Sequence, residues 1–199
     1  MFRSVQRIKK WWVIPEVKMI TQFWDDEGYL SSFVEKGKQY KIDEYDHVIF
    51  SYHGLPVRQV DKVHIDGKSC SDHNCENKIT EENKYCYKAQ CYATTRVLAE
   101  RLNIPSGKYT VSFQSRLDKN WLTPFTDKII IEQAAGGAKK LLVFSPAFVA
   151  DCLETVIEIG DEYRQLFREH GGEKVQLVES LNDNDNWAEA VKKLIERNI

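Results

Sequence analysis

One histidine stands where an apolar run gives way to a turn, and its surroundings suit a chemical role. In VIFSYHGLPVR, residues 48–58, His53 follows a mostly apolar run and precedes Gly54 and Pro56. The glycine supplies backbone freedom and the proline fixes the turn, so the imidazole is expected to be held rigidly at the end of a strand. Near neutral pH such an imidazole can act as a base or bind a metal ion. The alternative is a histidine that only closes the turn.

Carboxylates repeat at helical spacing in DCLETVIEIGDEYRQLF, which begins at residue 151. At about 100° per residue, four of them fall within about 80° of one another around a helix axis. They are Asp151, Glu154, Glu158 and Glu162. Such a stripe could pass protons or hydrated divalent cations, and the mutual repulsion of its members would raise their pKa values. The alternative is a solvated acidic face, the commoner reason for a charged stripe.

Four of the five cysteines lie close together, in the pattern C-x4-C-x10-C-x4-C. They are Cys70, Cys75, Cys86 and Cys91. Four thiolates can close a tetrahedral zinc site or hold an iron–sulfur cluster, and His64 or His73 could replace a thiol in a zinc site. The alternative is two surface thiols and two cysteines on the inner face of a helix. A disulfide framework is not expected in a cytosolic chain, and Cys152 stands apart.

Alternating strands and helices must position these residues. Strand-like runs at 16–23, 47–52, 108–113, 139–145 and 173–179 alternate with helical segments at about 27–41, 86–103, 125–137, 150–169 and 184–198. This order predicts an α/β fold with a parallel sheet flanked by helices on both faces. The ligand crevice of such a sheet lies beyond the carboxyl ends of its strands, so His53 and residues 114–116 and 146–148 should meet there. A cysteine-bearing insertion at about 59–91 interrupts the alternation.

Composition narrows the function classes. The 199 residues are 42% hydrophobic, which is enough for a substantial core. Basic and acidic residues nearly balance at 28 and 30, so neither nucleic acid nor an anionic membrane is an expected partner. No apolar run reaches the roughly 18 residues of a membrane span, and MFRSVQRIKKWW lacks the apolar centre of a secretory signal. A cytoplasmic location is therefore expected, with an organelle transit segment as the alternative.

Three blocks, taken together and in order, resemble the ferrochelatase family, which inserts ferrous iron into a porphyrin to make haem. They are SYHGLPVR (51–58), SFQSRLDKNWLTPFTD (112–127) and SPAFVADCLETVIEIGDEY (145–163), and ESLND (179–183) with a terminal helix resembles the family's ending. The resemblance runs from about Pro15 onward. It implies a Rossmann-like domain of the chelatase type and a lyase whose substrates are Fe²⁺ and protoporphyrin IX or coproporphyrin III.

The resemblance also implies roles for individual residues. His53 corresponds to the catalytic histidine, a base for pyrrole protons or a ligand of the substrate iron, and Glu154 to the glutamate across the macrocycle. Glu158 and Glu162, with Asp151, continue as a supporting acidic line. The implied porphyrin pocket comprises Gln114, Ser115, Arg116, Trp121 and Phe148.

The cysteine segment resembles that of bacterial ferrochelatases in which four closely spaced cysteines bind a [2Fe–2S] cluster. The implied cluster ligands are Cys70, Cys75, Cys86 and Cys91. Many relatives carry histidine where this chain has Cys152, a departure that bears on metal handling.

The resemblance finally implies a partner. Ferrochelatases normally have a second, similar half, so residues 1–15 are expected to end a helix at the join and residues 16–199 to form the C-terminal domain. That half, or self-association, would complete the pocket, and membrane association is not indicated. Two alternatives stay open: a non-catalytic or incomplete fragment that binds porphyrin or an iron–sulfur cluster, and a related chelatase for cobalt or nickel, against which the block at 112–127 argues.

Overall fold

A four-stranded parallel sheet organises the chain, whose computed structural model describes residues 6–199. The strands are β1 (His47–His53), β2 (Tyr109–Gln114), β3 (Lys140–Phe144) and β4 (Lys174–Leu177), in the spatial order β2-β1-β3-β4. Four of the five predicted strands are thereby confirmed. The inner strand β1 is buried over nearly its whole length, as the mostly apolar run before His53 requires.

Helices cover both faces of the sheet. They are α1 (Glu27–Lys38), α2 (Val57–Val60), α3 (Tyr87–Arg101), α4 (Thr126–Ala135), a π-helix (Glu154–Tyr163) that continues as α5 (Arg164–Glu169), and α6 (Asp185–Glu196). One apolar core includes Phe33 of α1 and Leu98 of α3, and a second includes Ile130 of α4 and Ile159 of the π-helix. The predicted α/β architecture with a parallel sheet is confirmed. The helices within residues 6–199 are all too short or too polar to cross a membrane.

The predicted strand at 16–23 is wrong, because this segment joins no sheet within residues 6–199. Its alternating pattern leaves Val17 and Met19 42% and 49% exposed. A strand is stable only with a neighbouring strand to pair with, and the described residues provide none at this place. The segment instead leads to Asp26, whose carboxylate caps α1 by accepting hydrogen bonds from the N–H groups of Gly28 and Tyr29.

The predicted helix end at 1–15 lies partly outside the described residues. Of the part that is described, residues 6–8 are helical. The division of the chain at residue 15 stays a prediction.

Two neighbouring strands end side by side at one edge of the sheet. His53 is in register with Gln114 at the ends of β1 and β2, and Phe50 is in register with Phe144 at the end of β3. Parallel strands therefore deliver the loops after β1, β2 and β3 to the same edge. Between α2 and α3 the cysteine-bearing insertion has only short 3-10 turns, at Asp61–Val63 and Cys70–His73.

Candidate functional site

His53 lies at this edge with its ring half-buried. Its Nδ1 is 2.6 Å from the carbonyl oxygen of Gly54. Since a carbonyl oxygen can only accept, Nδ1 carries the hydrogen, and in the neutral ring Nε2 then has the lone pair. Gly54 fits closely, because a Cβ there would lie 2.8 Å from the carbonyl oxygen of Gln114. The backbone thus orients the imidazole and leaves a basic nitrogen for a ligand.

Two aromatic rings flank His53. The ring centroids of Trp121 and Phe148 lie 6.3 and 6.0 Å from that of the imidazole. Trp121 forms a backbone bridge with Pro56, and Phe148 follows β3 in a turn closed by a hydrogen bond from its N–H to the carbonyl oxygen of Ser145. Together the rings give the crevice a partly apolar wall on which a flat aromatic ligand could lie.

Glu154 opens the π-helix within electrostatic reach of His53. The pKa of Glu154 is held below its ordinary value, first by a hydrogen bond from the Cys152 thiol, then by a backbone N–H, and also by the charge of His53. The predicted rise from carboxylate repulsion is therefore wrong for Glu154, because its nearest polar neighbours are donors. Glu154 is an anion at neutral pH.

Glu158 is fixed by four donors, of which Nε2 of Gln114 is the most distant at 3.4 Å. Its carboxylate accepts the N–H of Ser115 at 2.8 Å, the hydroxyl of Ser115 at 2.6 Å and the hydroxyl of Tyr163 at 2.6 Å. Ser115 adopts a left-handed φ of 60°, a strained conformation for a residue with a Cβ, which aims both of its donors at the carboxylate. The pKa of Tyr163 is raised by burial and by Glu158. Glu158 therefore braces the wall of the crevice.

The other two carboxylates of the predicted stripe have different surroundings. Asp151 precedes the π-helix, and its carboxylate accepts hydrogen bonds from the side chains of Asn182 and Thr155 at 2.8 and 3.1 Å. Burial would raise the pKa of Asp151, but these hydrogen bonds and one from the backbone N–H of Ser180 lower it. The predicted rise is wrong here too. Glu162 is exposed, one π-turn beyond Glu158.

The π-helix replaces the predicted α-helix at this point. Gln114, fully buried at the end of β2, donates from Nε2 to the carbonyl oxygen of Glu154 at 2.6 Å and accepts from the hydroxyl of Ser51 at 2.6 Å. A side chain that donates to a backbone carbonyl competes with the α-helical hydrogen bond to that carbonyl, which favours a wider helical turn. In a π-helix, with its i→i+5 bonds, Glu158 and Tyr163 lie on the same side, whereas α-helical spacing would separate them.

Arg116 turns away from His53 to α4. Its guanidinium forms two hydrogen bonds to Asp127, at 2.5 and 2.8 Å, and lies 4.1 Å from the centroid of the Phe125 ring. This ion pair lowers the pKa of Asp127 and raises that of Arg116. Arg116 thus ties the loop after β2 to α4. The sequence analysis did not identify Asp127 or Tyr163 as site residues. Each is only a charged or hydroxyl-bearing residue within a matching block.

A cavity of about 240 Å³ lies behind His53. Tyr52, Tyr87 and Cys91 are among its lining residues. The hydroxyl of Tyr87 donates to the carbonyl oxygen of His53 at 2.9 Å, so this cavity backs the strand end that carries the imidazole. Sequence reasoning also missed Tyr87, which no motif marks.

A second group of potential ligands lies in the cysteine-bearing insertion. His64, Cys70, Cys75 and Cys86 are buried, and their ligand atoms all lie within 4.8 Å of one another. A hydrogen bond from the Cys70 thiol lowers the pKa of Cys86 to about 5, and burial raises that of Cys75 to about 11. The residues form a buried group suited to a metal ion.

Cys91, the fourth ligand that the resemblance implies, lies outside this group. Cys91 comes five residues after Cys86, which caps the start of α3, so it lies about 140° further round the helix. It faces the cavity behind His53 instead, and burial raises its pKa. The described residues therefore offer three thiols and one imidazole, which does not fit a cluster held by four thiolates.

Comparisons with known proteins agree along the whole chain. The family model described as Ferrochelatase matches residues 1–199. A ferrochelatase of Pseudomonas fluorescens strain SBW25 is 44% identical over 185 residues, covering 92% of this chain and 54% of that protein. One of Pseudomonas putida strain W619 is 40% identical over 189 residues, covering 92% of this chain and 55% of that protein. The chain spans about half the length of the curated relatives it matches.

Proposed function

This chain belongs to the ferrochelatase family, and on that premise we propose that it takes part in inserting ferrous iron into a porphyrin, protoporphyrin IX or coproporphyrin III. The observation that carries the proposal is His53. Its Nε2 keeps a lone pair, because Nδ1 is engaged by Gly54, and two aromatic rings flank it. Anionic Glu154 lies within electrostatic reach.

Metallation of a porphyrin has two requirements. Two pyrrole N–H protons must leave, and a hydrated ferrous ion must lose its water. A fixed base near neutral pH meets the first, and a carboxylate that binds the cation meets the second. In the proposed mechanism Nε2 of His53 accepts pyrrole protons, while the Glu154 carboxylate meets the ferrous ion on the other side of the macrocycle. Both groups are candidate ligands of the substrate iron.

The remaining predicted residues shape and supply this site. Trp121 and Phe148 are proposed to contact the macrocycle, since their rings flank the imidazole. Exposed Glu162 would be the outer member of the acidic line, where hydrated cations or protons exchange with solvent. The positioning residues behind this surface are proposed to be Gln114, Ser115, Arg116, Asp151 and Glu158.

The pocket is proposed to be completed by a second unit. The relatives are about twice as long as the matched region, and Leu153, Val156 and Ile157 beside Glu154 are 74%, 49% and 41% exposed. Apolar side chains beside a catalytic carboxylate suit a surface that another half of the enzyme, or a second copy, would cover.

The resemblance implies an iron–sulfur cluster held by four thiolates. Within residues 6–199, the group around His64 contains only three cysteines, because Cys91 lies outside it. The proposed reaction therefore uses no such cluster. A second candidate function, a porphyrin-binding fragment without activity of its own, is favoured by one observation: the chain spans about half of its relatives.

An anaerobic assay of iron insertion distinguishes the two candidates. The purified chain is mixed with ferrous iron and each porphyrin, alone and with the N-terminal half of a Pseudomonas relative supplied separately. The proposal predicts insertion with ferrous iron, faster when the second half is present. Porphyrin binding without insertion under both conditions would favour the fragment.

A further inference from the structure

We propose that His64, Cys70, Cys75 and Cys86 together bind one thiophilic divalent cation, zinc above all, in a closed tetrahedral site. This site is separate from the crevice at His53 and does not depend on the chemistry proposed there. Zinc in proteins takes four ligands of the Cys and His types when its role is structural, and three cysteines with one histidine is one of the standard sets.

The distances suit a single ion. The sulfur atoms of Cys70 and Cys86 are 3.3 Å apart, and the sulfur of Cys75 is 3.9 Å from Nε2 of His64. With Zn–S near 2.3 Å and Zn–N near 2.0 Å, the edges of a tetrahedron of ligands measure about 3.5–3.8 Å. The observed group is already close to that size. A two-iron cluster would instead divide its ligands into two pairs, one on each iron.

The surroundings of His64 support a ligand rather than a core residue. The side chain is 4% exposed, and its Nδ1 has no hydrogen-bond partner within the described part of the chain. Its ring stacks on His73 with centroids 4.1 Å apart, and His73 is held by Asp66 at 3.0 Å. The nitrogen that faces the thiols is Nε2, which lies 3.9 Å from the sulfur of Cys75, a separation that suits two ligands of one ion.

The charge of the occupied site is balanced by its neighbours. Binding removes the protons of three thiols, so one divalent cation leaves a net charge of −1. The side-chain amide of Asn83 lies 3.7 Å from the sulfur of Cys75 and donates to it. Cys86 also caps the start of the 15-residue helix α3, whose dipole favours negative charge there. Lys88 lies close enough to Cys70 for their charges to interact.

The position of the site in the chain indicates what the ion does. It joins both ends of a segment that contains short turns and no strand, and such segments depend on a metal or a disulfide for order. Tyr87 follows Cys86 directly and donates to the carbonyl oxygen of His53. All four positions are filled by the protein, so the ion is structural. It fixes the segment whose end supports the strand carrying His53.

Metal content of matched variants tests the site. The 199-residue chain, prepared with zinc and dialysed, is expected to hold one zinc per chain by mass spectrometry. His64→Ala and Cys86→Ala should weaken zinc binding at least tenfold, whereas Cys91→Ala and His73→Ala should keep one zinc. His64→Cys guards against simple misfolding, since it should retain the metal. With Co²⁺ as the probe, that variant should also show a stronger sulfur-to-cobalt charge-transfer band than the parent chain.

Three results would overturn the proposal. Loss of zinc in Cys91→Ala with retention in His64→Ala would assign the four-cysteine set. Two irons per anaerobically purified chain, with a paramagnetic resonance signal after dithionite reduction, would assign a [2Fe–2S] cluster. Zinc content in the parent chain no higher than in Cys86→Ala would make the group a set of reduced thiols.

Discussion

Two histidines eleven residues apart in the chain, His53 and His64, occupy opposite kinds of environment. His53 is half-buried at a sheet edge, oriented by a backbone carbonyl, and keeps one nitrogen for a ligand. His64 is buried among three thiols, which together complete a set of four donors. On the roles proposed above, access to solvent rather than residue type distinguishes a site that exchanges substrates from a site that retains an ion.

Tyr87 connects the two regions. It lies directly after Cys86 in sequence and donates to the backbone of His53 at 2.9 Å. Order imposed in the cysteine segment can therefore reach the crevice through one hydrogen bond. The predictions that follow separate chemistry at His53 from order at His64.

The largest effect is expected from Glu154→Gln. A neutral amide would no longer attract the ferrous ion, so the rate of iron insertion should fall by about 100- to 10,000-fold, the range typical of groups that act directly at the reacting atoms. The unfolding free energy should change little. Steady-state anaerobic kinetics would check this, with Glu169→Gln, an exposed carboxylate at the end of α5, as the matched control. Equal rates in the two variants would remove Glu154 from the chemistry.

Metal removal should act on stability instead. With free zinc at about 100 times its dissociation constant, binding stabilises the folded chain by about 2.7 kcal/mol, or about 5–10 °C in melting temperature. Chelation should reverse that shift in the parent chain and leave His64→Ala unmoved. Calorimetry with and without chelator measures it, and an identical melting temperature for loaded and stripped parent chain would count against a structural ion.

The hydrogen bond from Tyr163 to Glu158 should have a smaller effect, and on the free energy of unfolding. Tyr163→Phe removes a buried hydrogen bond to a charged group, so the unfolding free energy should fall by about 1.5–3 kcal/mol. Tyr40→Phe, which loses a longer hydrogen bond of 3.3 Å to the backbone of Glu179, is the matched control. Urea titration compares the two. A larger loss in the control would mean that Tyr163 does not hold the carboxylate.

Tyr87→Phe tests the link itself. Losing one hydrogen bond to the carbonyl of His53 should cost about 1 kcal/mol, lower the rate of iron insertion by less than about tenfold, and leave zinc content unchanged. Zinc analysis and kinetics on one preparation check both expectations. An unchanged rate would show that order in the cysteine segment does not reach His53 through this bond.

Acid stability should report on Asp151. Its pKa is lowered in the folded chain, so its contribution to stability is present above the ordinary value of 3.8 and is lost as the pH falls through the lower folded value. Asp151→Asn should therefore reduce stability at neutral pH and flatten the decline below about pH 4. Unfolding titrations across that range measure the slope. If the unfolding free energy of the variant falls with pH as steeply as that of the parent chain, Asp151 does not contribute to acid unfolding.

Much of this arrangement could be predicted from sequence, because strand ends in parallel sheets meet at one edge. That rule alone predicts that His53, Gln114 and Phe148 lie close together. The prediction of a strand at 16–23 was wrong. Alternating apolar and polar residues indicate which side chains share a face, but they do not show whether a neighbouring strand is present to pair with the segment.

Two details depend on distant contacts. The π-helix requires Gln114, forty residues earlier, to occupy the carbonyl of Glu154, and periodicity of the helix alone does not contain that contact. The ligand set depends on α3 starting at Tyr87, directly after Cys86, because Cys91 then lies about 140° round the helix from Cys86, outside the group. A thiol count could not decide between Cys91 and His64.

The most direct test of the central contrast is the anaerobic rate of ferrous iron insertion by His53→Ala, measured with the second half supplied and with zinc content determined on the same sample. The account predicts one zinc per chain and a rate at least about 100-fold below that of the parent chain. A zinc-loaded His53→Ala protein that inserts iron at the parent rate would contradict it.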